Sequence, residues 1–186
     1  MTTVVAIQGP TWAVVGADTR VVDEGRIFNL PAGAGKIIRK SDYIIALAGD
    51  FRPAQIFAHQ VKLPKPPAYT TIDALDKFMT QKFIPYVRST YTEVGYTPTG
   101  EEGAELIVAT QGIIYNIGAD FTWARDKRGI YGVGTGSDYA IGALAALNQP
   151  KNVNDAMANA KQALSIACSY DTNSGEPLTI YQQPRG

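Results

Sequence analysis

Two residue types are almost missing from this sequence: there is one cysteine, Cys168, and one histidine, His59, in 186 residues. A single thiol excludes an internal disulfide and points to a reducing compartment, the cytoplasm. Zinc sites draw their ligands mainly from His and Cys, so neither a metal centre nor another cofactor is expected. A Ser-His-Asp triad would depend on His59 alone. That residue falls in DFRPAQIFAHQVKL, where Phe51, Ile56, Phe57 and Val61 mark the apolar face of a helix. Cys168, in the small-residue stretch AKQALSIACSY, reads as a buried small hydrophobe. Charge of one sign is missing too, since 17 basic residues face 17 acidic ones. Nucleic acid and anionic membrane surfaces are therefore not expected partners. No run reaches the 18 or so apolar residues of a membrane span. The opening MTTVVAIQG lacks the basic start and long apolar stretch of a secretion signal.

What is present is the composition of a globular protein, 45% apolar and 18% charged. At about 150 residues per domain, the length predicts one domain over 1–186, with no linker or repeat to divide it. Short β-branched runs, TTVVAIQ and TWAVVGAD, are separated by Gly9-Pro10, and KIIRK and YIIALAG by Ser41-Asp42. A helical period follows from Asp50 to about Lys62. After PKPP a second helix is expected over roughly 71–92, with Ile72, Leu75, Met79, Phe83 and Tyr86 on one face and Pro85 kinking it or starting its last part. AELIVAT, GIIYNIG and FTWAR read as further strands, and ARDKRG as a solvated turn. Two alanine-rich helices, about 138–148 and 153–169, precede a last strand, PLTIYQQ. Strand and helix blocks in this order predict an α+β fold, with antiparallel sheets carrying helices on their outer faces.

Two glycine-bearing segments invite a phosphate-binding reading. In LPAGAGKII, a P-loop would need glycine at Leu30 and a hydroxyl at Ile37. GVGTGSDYA (132–140) opens a helix, and free backbone N–H groups there suit an anion, but the third glycine of a dinucleotide fingerprint is missing. A hydrolase without a serviceable histidine needs another base near neutral pH. The α-amino group, with an ordinary pKa of about 7.7–8.0, qualifies if the terminal residue also carries the nucleophile. Thr2 follows Met1, and a small second residue permits removal of the initiator methionine.

TTVVAIQGPTWAVVGADTR resembles the N-terminus of the proteasome β-type and HslV-type threonine peptidases. AGAGKII, IIALAGD, GVGTGSDYAIGAL and SYDTNSGEPLTIY extend the resemblance, in order, over nearly the whole chain. It implies a four-layer αββα sandwich of two antiparallel sheets flanked by helix pairs, within one N-terminal-nucleophile hydrolase domain. Thr2 matches the nucleophile, and its freed amine the base. Asp18, in GADTR, matches the acid that fixes a lysine, and Lys36 that lysine, about two residues further along than is usual for the family because of PAGAG. Gly49 matches the oxyanion-hole glycine. Asp171 and Ser174, in DTNSG, match the pair that holds the terminal amine, and Thr135 stands where the family usually has serine. Val22 matches a position pairing with the substrate backbone. Leu47 and Phe51 match positions lining the pocket for the residue before the cleaved bond. With Phe51 in place of a small residue and Asp50 in place of glycine, a shallow pocket for small or medium apolar side chains is expected.

The resemblance further implies a homo-oligomer of stacked rings, a polypeptide substrate and an ATP-dependent unfoldase as partner. The chemistry requires that Met1 be removed, since a retained methionine leaves Thr2 without a free amine. Two other readings stay open: a non-catalytic ring or scaffold subunit with an unprocessed N-terminus, and a related amidohydrolase acting on a small amide.

Overall fold

A computed structural model describes residues 2–31, 35–68, 71–98 and 103–185. Strands β1 (Val4–Gln8) and β2 (Trp12–Asp18) form an antiparallel hairpin across the Gly9-Pro10 break. β10 (Ile130–Val133) adds to β1, and β11 (Leu178–Pro184) to β2, which makes a four-stranded antiparallel sheet in the order β10-β1-β2-β11. A second antiparallel sheet has five strands in sequence order: β5 (Ile37–Lys40), β6 (Tyr43–Ala48), β7 (Glu105–Thr110), β8 (Ile113–Ile117) and β9 (Trp123–Ala124). A separate hairpin, β3 (Arg20–Asp23) with β4 (Arg26–Asn29), follows β2 directly.

Side chains alternate between the faces of each strand. In β2 every position is buried, because both faces are covered. Trp12 and Val14 point to one cluster with α4 (Ser137–Ala146) and α5 (Val153–Tyr170), while Ala13, Val15 and Ala17 point to the other sheet. β6 repeats the rule: Ile44, Ala46 and Ala48 meet the four-stranded sheet, and Tyr43, Ile45 and Leu47 meet the remaining helices. Ala156, Ala160, Ala163 and Ala167 recur at helical spacing on α5, and their small size lets that helix lie close to β1 and β2.

The remaining helices are α1 (Arg52–His59), α2 (Ile72–Phe78) and α3 (Ile84–Glu93). α1 is shorter than its periodicity predicts: the chain leaves the helix after Gln60 and runs without regular structure through the prolines at 64, 66 and 67. α2 and α3 are joined by a π-helical turn, Met79–Phe83, so the expected 71–92 helix is continuous but not uniform. Pro85 sits in the first turn of α3, directly after the π-helical turn. Leu75, Met79, Phe83 and Val87 are fully buried against the five-stranded sheet, and each such side chain contributes about 1.5–3 kcal/mol. β3, β4 and β10 were not among the expected strands: β4 is exposed throughout, and β10 lies inside the glycine-rich segment.

Candidate active site

Pairing of β1 with β2 puts Val4 opposite Ala17, so Thr3, just before β1, meets Asp18 at the end of β2. The Thr3 amide donates to Asp18 Oδ1 at 2.9 Å, and the Asp18 amide donates back to the Thr3 carbonyl at 3.2 Å. Lys36 Nζ reaches the same Oδ1 at 2.7 Å. Asp18 Oδ2 accepts from the amides of Arg20 at 3.1 Å and Gly175 at 3.0 Å. Asp18, only 1% exposed, thus receives four donors, which is how a charge is tolerated away from water. Burial lowers the pKa of Lys36, and the Asp18 carboxylate works against that shift.

A second network leads from Thr3 into the loop after α5. Ser174 Oγ donates to Asp171 Oδ2 at 2.6 Å, and Thr135 Oγ1 donates to the same oxygen at 2.8 Å. Ser174 has one hydroxyl proton, so in its 2.6 Å contact with Thr3 Oγ1 the threonine is the donor. Asp171 Oδ1 accepts from the backbone and side chain of Asn173. Burial pushes the Asp171 pKa up, but the hydrogen bonds from Ser174, Thr135 and Asn173 outweigh it and hold the carboxyl below the ordinary aspartate value.

Thr2 opens onto a cavity of about 590 Å³, whose wall also includes Ala48, Gly49, Glu105, Gly134, Thr135 and Ser137. Two glycines shape it. Gly49 has φ +96°, and a Cβ there would lie 2.7 Å from the Gly103 carbonyl. Gly134 has φ +93°, and a Cβ there would strike the carbonyl of Thr2. Any side chain at either position is both strained and obstructed.

Thr2, Gly49 and Thr135 line this cavity; Asp18 and Lys36 pair beneath Thr3; Asp171 and Ser174 tie Thr135 to Thr3. Val22 stands apart, half-buried on β3. Leu47 is 4% exposed in the cluster beneath the helices, and Phe51, the residue before α1, packs partly buried on that cluster. Neither lines the cavity, because alternation along β6 turns Ala48 towards Thr2 and Leu47 away. Met1, whose removal the expected chemistry requires, and residues 32–34 of PAGAG lie outside the described residues. His59 is exposed in the last turn of α1. Cys168 is half-buried, and its thiol pKa is pushed up to about 11, first by burial and then by Asp18 and Glu176. Among the described residues no group of three His, Cys, Asp or Glu side chains is placed to hold a metal ion, and no helix is long and apolar enough to cross a membrane.

Sequence reasoning missed three participants. Thr3 joins the two networks, and its only signal was the doubled threonine. Gly175 contributes a backbone amide, which no residue identity announces. Glu105 opens β7 at the cavity wall, at a position that looks like an ordinary strand end.

No protein-family model matches the chain, and no curated protein matches it in sequence. Solved structures do match in fold. Thiobacillus denitrificans BPH in complex with epoxomicin superposes with a TM-score of 0.78 at 24% identity, over 100% of both chains. A second structure of Thiobacillus denitrificans BPH gives 0.76 at 22% identity, over 100% of this chain and 99% of that one. Eukaryotic HslV from Trypanosoma brucei gives 0.68 at 20% identity, over 97% of this chain and 98% of that one. The chain has the proteasome β-type, HslV-like fold.

Proposed function

We propose that this protein is a threonine-type endopeptidase working inside a proteasome-like ring, with Thr2 as nucleophile once Met1 is removed. The observation that carries this reading is the position of Thr2: it borders a cavity shared with Gly49, one residue from a buried lysine–aspartate pair. In this reading the Thr2 hydroxyl attacks the scissile carbonyl and the free amine of the same residue takes its proton. Asp18 fixes Lys36, whose positive charge favours the ionised hydroxyl. The Gly49 N–H stabilises the developing oxyanion, a contribution of about 3–4 kcal/mol for such a donor. The Thr135–Asp171–Ser174 network holds the terminal amine by accepting its hydrogen bonds. Val22 runs along the substrate backbone, and Leu47 and Phe51, which lie outside the cavity beside Thr2, line a separate pocket for the residue before the cleaved bond.

The assembly reading goes with the chemistry. The whole chain, 1–186, is one domain, and its three apolar clusters are the interfaces of a four-layer αββα sandwich. Copies of the chain form stacked rings in the cytoplasm, fed with unfolded polypeptide by an ATP-dependent unfoldase.

Epoxomicin, present in one structure of this fold, supplies the test. Protein whose N-terminus is verified as Thr2 should gain one inhibitor mass per chain, mapped to Thr2, and lose peptidase activity. Thr2→Ala should neither label nor cleave. A correctly processed protein that takes up no adduct would overturn the peptidase reading and favour a non-catalytic ring subunit.

A further inference from the structure

The cavity beside Thr2 has a chemical bias that the reaction itself does not require. Its wall is made of backbone, hydroxyls and small side chains, apart from Val133 and one charged residue, Glu105. Glu105 is the first residue of β7 and pairs in register with Ala48, the neighbour of Gly49. Its side chain is exposed to the cavity solvent, and among the described residues no Lys or Arg forms an ion pair with it.

No basic residue lines the cavity beside that charge. No Lys or Arg occurs within two residues of any lining position, whereas Asp50, Asp120 and Asp138 each follow one directly. The Lys36 ammonium does not line the cavity and is matched by Asp18 at 2.7 Å. Asp50 receives the Arg52 backbone amide at 2.9 Å, and Asp120 receives the Thr122 amide and hydroxyl, so both are held in place by neutral donors. A substrate side chain entering this cavity therefore meets one carboxylate and no Lys or Arg among the residues that line it.

We infer that Glu105 is a specificity-determining residue, selecting a cationic side chain, lysine or arginine, for the substrate position that fills the cavity next to the cleaved bond. The inference rests on the peptidase reading and adds its substrate class. It differs from the sequence expectation of a small or medium apolar preference, which was attached to Leu47 and Phe51 rather than to this wall. Lysine and arginine suit the recess sterically as well: their long stems cross the Ala48–Gly49 edge while the charged head reaches the carboxylate. An acidic side chain there would face Glu105 across the same recess and be rejected, so the residue discriminates both ways.

A positional peptide library tests this, read by mass spectrometry of the products, with epoxomicin labelling of Thr2 measured on the same preparations. The wild-type protein should cleave peptides carrying Lys or Arg at one position flanking the bond roughly five- to tenfold faster than peptides with norleucine there, and Asp or Glu peptides most slowly. Glu105→Gln, similar in shape, should keep Thr2 labelling and bring the basic-to-norleucine ratio to within about twofold. Glu105→Lys should reverse the order in favour of acidic side chains. Raised salt should shrink the wild-type preference and leave the Glu105→Gln ratio unmoved. A protein that labels on Thr2 and cleaves without a basic preference, or whose preference survives Glu105→Lys, overturns this inference alone. A protein that neither labels nor cleaves overturns the peptidase reading and this inference with it.

Discussion

Lys36 and Asp18 show how much a single contact decides. Both side chains are nearly sealed from water, at 2% and 0% exposure, and they lie 2.7 Å apart. Two buried charges stabilise little as a pair, yet removing one leaves the other without compensation. Lys36→Met should therefore lower the unfolding free energy by about 3–5 kcal/mol, read from the midpoint of a urea titration. A midpoint within error of wild type would mean that the pair is not closed in solution. The resemblance named both residues in advance, and it also named Asp171 and Ser174. Nothing in residue identity showed that Asp18 takes four donors, three of them backbone amides. Cys168 carries its own lesson: its neighbours along the chain read as plain helix, but the fold sets it near Asp18 and Glu176, which with burial suppress its thiolate.

At the scale of elements, the legible parts were those with strong periodicity. The runs that became β1, β2, β5, β6, β7 and β8 were visible because β-branched residues sit between turn residues, and α5 because its alanines recur on one face. β10 escaped because Gly132 and Gly134 mark a loop by composition, while pairing with β1 makes it a strand. The β10–α4 turn is also where an element presses on the proposed nucleophile, since Gly134 backs onto Thr2. Gly134→Ala should cost about 2 kcal/mol or more of stability and displace Thr2 enough to abolish epoxomicin labelling. An unchanged urea midpoint with full labelling would show that the turn relaxes without cost. The π-helical turn at Met79–Phe83 had no signature beyond Pro85 close behind it.

For the whole molecule, three apolar clusters hold two sheets to each other and each sheet to its helices. A single chain nonetheless leaves large apolar side chains in water: Ile27 at 60% and Phe28 at 50% exposure in β4, Tyr139 at 48% on α4 and Tyr170 at 70% at the end of α5. The ring reading predicts a particle several times the 20.0 kDa protomer mass in light scattering, unchanged by moderate dilution. A monomer at every concentration would remove the ring, and with it the chamber in which the chain is proposed to act.

The sequence by itself narrowed the chemistry, since one cysteine cannot form an internal disulfide and a conventional triad would have to be built on His59, in the last turn of an amphipathic helix. Its apolar periods also set most strands and helices, because burial on one face or two leaves apolar residues at a regular spacing along the chain. Only the tertiary structure decided which residues share the cavity. Thr2, Gly49, Glu105 and Thr135 come from four separate segments, and the antiparallel register that brings them together depends on pairings between strands far apart in the chain. Such pairings are long-range packing energies, and no local pattern of residues encodes them.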